Sequence, residues 1–381
     1  MPDRPHIHHV NLQPIVGGGE IYTRALTQAL VDAGADVTLY VHPAVRLWDG
    51  MEAARLKRIQ VENEGALLQR LPAEGAIVLT QSPISVQGIE RMAARHRVAG
   101  FAHMPMFQRS AEGLRAYHLV ITVSRYCIEL LHLAGLRQVY PEPVYGTADL
   151  VRGSEPVMQR PPYIVDTRKF RDVLIGHMRN LIEKRKAGTV YSKRSGLTLG
   201  LVSLISPIKQ FPALFSILAP ILARRPAVML EIFGNGGYAQ VRDLRRALAP
   251  LGGRARFWGY QPNVGAIYPQ LDYLMTGLPE KEALGLNALE AQSCTPVLAP
   301  DAPPFTETII DGASGFLYRD PRQDGGRHFE EILDAILAGR SRPDPRIAAK
   351  DHLAQFTHAA LVIRARKLIE ALTRLEAAPL A

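Results

Sequence analysis

His6-Ile7-His8-His9-Val10-Asn11-Leu12, then Gly17-Gly18-Gly19, then a helical pattern over residues 20–33: the chain opens as strand, glycine loop and helix. Ile21, Leu26, Ala29 and Leu30 fall on one face of that helix, and Gly34 ends it. Residues 36–41 read as the next strand, and residues 76–80, 98–102 and 119–123 as further strands of one sheet. The same alternation returns later. Residues 197–204, 228–233, 255–258, 271–276 and 296–299 read as strands, and residues 212–225, 241–251 and 285–292 as helices between them. A last apolar-periodic helix covers residues 359–375. Strand alternating with helix is the pattern of a parallel sheet covered by helices. Two such series predict an α/β chain of two Rossmann-like domains facing across a cleft, with ligands beyond the carboxyl ends of the strands. The expected division is a first domain over 1–150 with helix 359–381 packing back on it, a basic linker or insertion over 151–196, and a second domain over 197–358.

The composition supports two cores. The chain has 381 residues, 47% hydrophobic and 21% charged, which is long for one domain and too apolar for disorder. Its longest nearly apolar run, residues 197–208, is interrupted by Ser203 and Ser206, whereas a membrane-spanning helix needs roughly 20 apolar residues. The first ten residues hold no apolar signal core, so the expected location is the cytoplasm. Cys127 and Cys294 are expected as buried free thiols. His6, His8 and His9 occupy alternate faces of one strand and do not converge on an ion, so no metal site is expected.

The formal charge of +9 favours an anionic partner. Between Arg160 and Arg194 stand ten Lys/Arg against three Asp/Glu. That segment reads as a solvated helix, or as a surface for anionic lipid or a lipid-diphosphate acceptor. Nucleic acid is disfavoured for want of a reading motif. A dinucleotide oxidoreductase is also disfavoured. Glu20 and Tyr22 break the glycine fingerprint, and Val41-His42-Pro43 occupies the region of the acidic ribose ligand.

Chemistry concentrates in Glu282-Ala283-Leu284-Gly285-Leu286-Asn287-Ala288-Leu289-Glu290. Two carboxylates lie eight positions apart, and Gly285 opens a helix between them. That places Glu282 on a loop and Glu290 about a turn and a half into the helix. The helix start, at Leu286, turns amides toward a phosphate. Glu290 then suits a ribose, and Glu282 the transferred hexose. The competing reading is a surface helix carrying two glutamates by chance.

With Cys294-Thr295-Pro296-Val297 and Asp311-Gly312-Ala313-Ser314-Gly315-Phe316-Leu317, the stretch resembles the donor-site signature of glycosyltransferase family 4. Residues 10–30 resemble the family's first strand, glycine loop and helix. Phe101-Ala102-His103 resembles its strand-end histidine, Ile121-Thr122-Val123-Ser124 a further strand, and residues 228–236 a strand and glycine turn. The resemblance implies the GT-B fold and retaining, metal-independent transfer by front-face displacement. A nucleotide-diphosphate sugar is the co-substrate, with no resident cofactor. It implies catalytic roles for Glu282, His103 and Lys209, and donor contacts from Gly18, Gly19, Gly234, Asn235, Leu286 and Glu290. It also implies a lipid-linked or polysaccharide acceptor at a cytoplasmic membrane face, and no nucleic acid partner. A soluble acceptor, or binding of a nucleotide sugar without transfer, are the rivals. One position departs from the pattern: Leu204 stands where the family has a phosphate-neutralising arginine, so either another basic residue substitutes, for which the arginines of the 160–194 segment are candidates, or the match is shifted in register, or activity is weak.

Overall fold

The computed structural model describes residues 4–82, 84–147, 153–164 and 188–375. The chain divides into two compact units, Met1–Thr147 with Ala354–Ala381, and Ala148–Leu353.

The first unit is built on a parallel sheet ordered β3 (Leu56–Gln60), β2 (Asp36–Val41), β1 (His6–Asn11), β4 (Ile77–Thr80), β5 (Arg97–Ala102) and β6 (Leu119–Thr122). Helices cover both faces of such a sheet, so its inner strands carry nearly continuous apolar runs. In β2 every residue after Asp36 is buried. Strand β3, Leu56-Lys57-Arg58-Ile59-Gln60, escaped the sequence reading because only Leu56 is buried. Charge on a one-sided edge strand keeps other chains from pairing with it.

The helix His358–Arg374 completes this unit. Leu361, Ala365, Leu368 and Leu372 recur every three or four positions and are buried, and each buried leucine contributes about 1.5–3 kcal/mol of transfer free energy. The helix packs on Gly18–Asp32. His358 Nε2 lies 2.8 Å from Asp32 Oδ2, and Arg364 lies 4.8 Å from the centre of the Tyr145 ring.

The second unit repeats the plan. Its sheet runs β12 (Gly315–Tyr318), β11 (Val297–Pro300), β10 (Tyr273–Met275), β7 (Leu197–Val202), β8 (Val228–Phe233) and β9 (Ala255–Gly259), again all parallel. Phe211, Leu214, Phe215, Leu218 and Leu222 of the helix Phe211–Ala223 fill its core. In each sheet the first strand lies in the middle, and the strand order reverses beside it, between β1 and β4 and between β7 and β10. The carboxyl ends of the strands at such a reversal form a ready crevice.

The described residues of the 151–196 stretch are part of the second unit rather than a separate linker. Val157, Tyr163 and Tyr191 are buried in its cores, and the Ile164 amide donates to Gly236 O at 2.9 Å. Lys193 pairs with Asp272 at 2.6 Å, and Arg194 reaches Glu231 at 2.8 Å. Two of the ten cations are thus tied to structural partners. Arg168, Lys169, Arg171, Arg179, Lys184, Arg185 and Lys186, on which the membrane reading leans, lie outside the described residues.

Among the described residues no helix is long and apolar enough to cross a membrane. Neither cysteine is in a disulfide. Cys127 is buried, whereas Cys294, expected inside, is only partly so.

Candidate active site

Three residues of the second unit converge where β7 and β10 part. Strand β7 ends at Val202, and the following loop carries Lys209. Its amide donates to Ser206 O at 3.2 Å, and its carbonyl accepts from the Leu278 amide at 3.2 Å. Gly277 permits that approach, since a Cβ there would stand 2.1 Å from Lys209 O. The loop after β10 brings Glu282 to the same place. Lys209 Nζ donates to Glu282 Oε2 and lies 3.5 Å from Asn287 Oδ1. Glu282 Oε1 accepts the Gly285 amide at 3.1 Å, and Asn287 Nδ2 donates to Val202 O at 3.2 Å.

Gly285 sits at φ +77 and opens the helix Leu286–Ala291, a left-handed conformation that glycine adopts without strain. The helix has six residues, and Gly285's amide is already taken by Glu282. The expected row of open amides is therefore shorter than the sequence suggested and shares its space with a carboxylate.

Glu290 lies further along this helix. Tyr268 OH donates to its Oε2 at 3.1 Å. Burial pushes the Glu290 carboxyl up to about 7, while the Tyr268 hydrogen bond and the Lys209 charge pull it the other way. Tyr268 is fully buried, and its carbonyl accepts from Thr295 Oγ1 at 2.5 Å. Val297 begins β11 opposite Gly315 of β12, where a Cβ would stand 2.1 Å from Val297 O. Within the downstream half of the signature, Thr295 therefore holds Tyr268, which holds Glu290.

The glycine turn after β8 has a structural task that the sequence reading assigned to a nucleotide. Gly234 has φ +153, and a Cβ there would fall 1.9 Å from Ser203 O. The Gly234 amide donates to Gly259 O at 2.8 Å and the Gly236 amide to Pro162 O at 2.9 Å, while Asn235 O accepts from Ile205 N at 2.8 Å. Those backbone groups knit the ends of neighbouring strands together, and Asn235 contributes a partly buried side chain. Trp258 is buried, with Nε1 donating to Glu231 Oε2 at 2.7 Å. Leu204 is 42% exposed. Lys193 and Arg194, two described cations of the 160–194 segment, are paired with Asp272 and Glu231 instead.

In the first unit, Glu20 Oε2 accepts the Gly17 amide at 2.8 Å at the start of the Gly18–Asp32 helix. A Cβ on Gly18 or Gly19 would meet nothing within 4 Å, so internal crowding does not require glycine at either position. His103 follows β5 and packs against Tyr22 and Phe101, ring centres 5.3 and 5.4 Å away. Burial lowers its pKa to about 4, so the ring is neutral at pH 7. Of the amino-terminal histidines, His8 meets Tyr40 OH at 3.1 Å and His9 meets Thr27 Oγ1 at 2.8 Å.

The sequence reading missed Asn287, Tyr268 and Gln81. Asn287 lay inside the quoted motif, and Gln81 directly follows a strand at the β1–β4 reversal, so position alone marked both. Tyr268 carried no such signal.

Residues 185–345 match the model of the family described as glycosyl transferases group 1. No curated protein matches the chain. Among solved structures, Anabaena HepE in complex with UDP and glucose is similar at 16% identity and a TM-score of 0.67, over 97% of this chain and 100% of that one. Sucrose-phosphate synthase from Thermosynechococcus elongatus gives 17% and 0.68, over 98% and 100%. The lipopolysaccharide outer core galactosyltransferase WaaB in its apo form gives 14% and 0.62, over 97% and 99%. At these identities the likeness is one of fold. The chain thus has the fold of the GT-B proteins, and its residues 185–345 are similar to the glycosyl transferases group 1 family.

Proposed function

We propose that this protein is a retaining, metal-independent glycosyltransferase that moves a sugar from a nucleotide-diphosphate sugar to a lipid-linked or polysaccharide acceptor. The observation that carries this reading is the Lys209–Glu282–Asn287 cluster at the strand-order reversal, with Glu290 further along the same helix. HepE, of similar fold, was solved with UDP and glucose, which supports a UDP-sugar as the donor. In the reaction the bond from sugar C1 to the diphosphate oxygen breaks. The acceptor oxygen bonds C1 on the same face, and its proton passes to the departing phosphate. Both Glu282 oxygens are engaged in the free protein, one by Lys209 and one by Gly285, which favours a hydroxyl-binding role over that of nucleophile. Lys209 meets the leaving charge, a role worth several kcal/mol in a preorganised site. Membrane docking through the 160–194 segment rests on its charge alone. The exposed Leu204, where an arginine was expected, favours one rival, a binder of nucleotide sugars that does not transfer.

Calorimetric titration with UDP tests the reading. A ribose hydroxyl donates more strongly to Glu290 when that carboxyl is ionised. Wild-type affinity is therefore expected to fall as pH drops below about 7. Glu290→Gln binds UDP more weakly and lacks this component, and the difference between the two profiles removes the titration of the ligand's own phosphate. The free protein behaves oppositely. A carboxyl raised from 4.5 to about 7 by folding is bound to its proton more tightly in the native state, so stability present below pH 4.5 is lost as pH rises to 7. Glu282→Gln is expected to keep UDP affinity within about threefold and to abolish transfer. Equal loss of UDP affinity in both variants would show that the two carboxylates have been given the wrong roles.

A further inference from the structure

Beneath the glycine loop of the first unit runs a chain of buried polar side chains that the proposed reaction does not use directly. Thr27 Oγ1 lies 2.8 Å from Thr23 O, and His9 Nδ1 lies 2.8 Å from Thr27 Oγ1. Gln81 Nε2 stands 2.9 Å from His9 Nε2, and Gln81 Oε1 stands 2.5 Å from His103 Nε2. Thr23 Oγ1 in turn donates to Gly19 O at 2.7 Å and accepts from Asn11 Nδ2 at 2.9 Å. Gln81 and His9 are both buried, Gln81 at 6% exposure and His9 at 0%.

One assignment of protons satisfies every contact. Thr27 has a single hydroxyl proton, and the Thr23 carbonyl can only accept. That proton therefore goes to Thr23 O, so His9 Nδ1 must donate to Thr27 Oγ1. His9 is neutral, since burial and the neighbouring His103 lower its pKa to about 3. Its Nε2 is then an acceptor and takes a proton from the Gln81 amide nitrogen. Gln81 is left with its oxygen toward His103, and His103 Nε2 must be the donor. The remaining nitrogen, His103 Nδ1, has no hydrogen-bond partner among the described residues and carries a lone pair.

We propose that Gln81 is a positioning residue: held in one orientation by His9, it fixes His103 as the Nε2–H tautomer and presents Nδ1 as an acceptor for a hydroxyl of the bound sugar substrate. The part of this that concerns sugar rests on the reading above, and the part that concerns the tautomer does not. The order of the chain matters because a neutral imidazole with the other tautomer would offer a donor at the same place, and the hydroxyl would have to turn round. Two helix backbone and hydroxyl contacts at Thr27 and Thr23 thus set the hydrogen-bond polarity of a ring two strands away.

The test uses the full chain labelled with ¹⁵N-histidine. The expected wild-type spectrum shows His103 with a protonated Nε2 and an unprotonated Nδ1, and His9 with the reverse. A protonated Nδ1 on His103 overturns the proposal without any variant being made. Gln81→Met keeps the shape of the side chain and removes both hydrogen bonds. It is expected to give a mixture of His103 tautomers and to lower kcat for transfer by about tenfold or more, with KM for the donor changed less than about threefold. Gln81→Glu keeps an acceptor for His103 and is expected to restore the Nε2–H signal if Gln81→Met folds poorly. An unchanged tautomer in Gln81→Met removes Gln81 from its role. A mixed tautomer with unchanged kcat overturns the contact between Nδ1 and the sugar. If the wild-type protein transfers no sugar at all, the function proposed above fails, while the ¹⁵N assignment of His103 is unaffected.

Discussion

Lys209→Met is expected to slow transfer by about 100- to 1,000-fold in a single-turnover assay, the loss seen when one preorganised charge-stabilising donor is removed. The wild-type amine sits at the strand-order reversal, placed by the bonds of its own amide and carbonyl to Ser206 and Leu278. The expected effect on folding is far smaller. The Lys209–Glu282 pair retains some solvent access, with side-chain exposures of 18% and 14%, and a partly solvated pair contributes about 1 kcal/mol or less. Glu282 also keeps its bond to the Gly285 amide. Rate and stability therefore separate: a large fall in kcat with a nearly unchanged melting temperature supports an electrostatic role. Adding Glu282→Gln should cost less than the sum of the two single changes, because the residues act on one another. Transfer within about tenfold of wild type would remove Lys209 from the chemistry.

Arg194→Met is expected to do the opposite, damaging stability first. Glu231 is fully buried within the otherwise apolar strand β8. Arg194 answers it with Nε at 3.0 Å and Nη2 at 2.8 Å, and also donates to Gly253 O and Arg254 O. Removing one partner of a buried pair leaves an uncompensated charge, at a cost of about 3–5 kcal/mol. For a unit of this size that corresponds to roughly 10 °C in melting temperature. Replacing both residues with methionine should recover only part of the loss: an apolar pair of similar volume requires no desolvation of charge, but Trp258 Nε1 then loses the Glu231 carboxylate it donates to. A single-variant loss under about 1 kcal/mol would mean that water reaches Glu231. The result also bears on the basic segment, since a cation tied to a buried carboxylate is not free to meet a membrane.

The inner strands were legible in the sequence because burial on two faces leaves a nearly continuous apolar run, as in Val98 to Ala102 or Val297 to Ala299. The two outer strands at the same end of each order, β3 and β12, were not. Lys57 and Arg58 mask the first, and the second is four residues long and was read only as part of the signature stretch. Of the candidate site, Lys209, Glu282 and Asn287 are joined by hydrogen bonds, and Glu290 lies on the helix that carries Asn287. Gly234 has a packing task besides the nucleotide contact read for it. Its glycine answers a neighbouring carbonyl 1.9 Å from where a Cβ would be, a contact between strands that composition cannot reveal. Glu231 was a signal left unread, since a charge inside an apolar strand demands a buried partner. Tyr268 reaches Glu290 across 22 residues with no periodic pattern to announce it.

The first unit is assembled from both ends of the chain, while residues 148–353 form the second by themselves. On a ribosome these halves mature in reverse order. Strands β1 to β6 emerge first, yet the Gly18–Asp32 helix waits for its covering helix at His358–Arg374. At usual rates of synthesis that wait lasts roughly 15–70 s, during which the second unit can fold unaided. The half that is translated first is therefore the half finished last, and its exposed apolar helix face is what a chaperone would meet on the nascent chain.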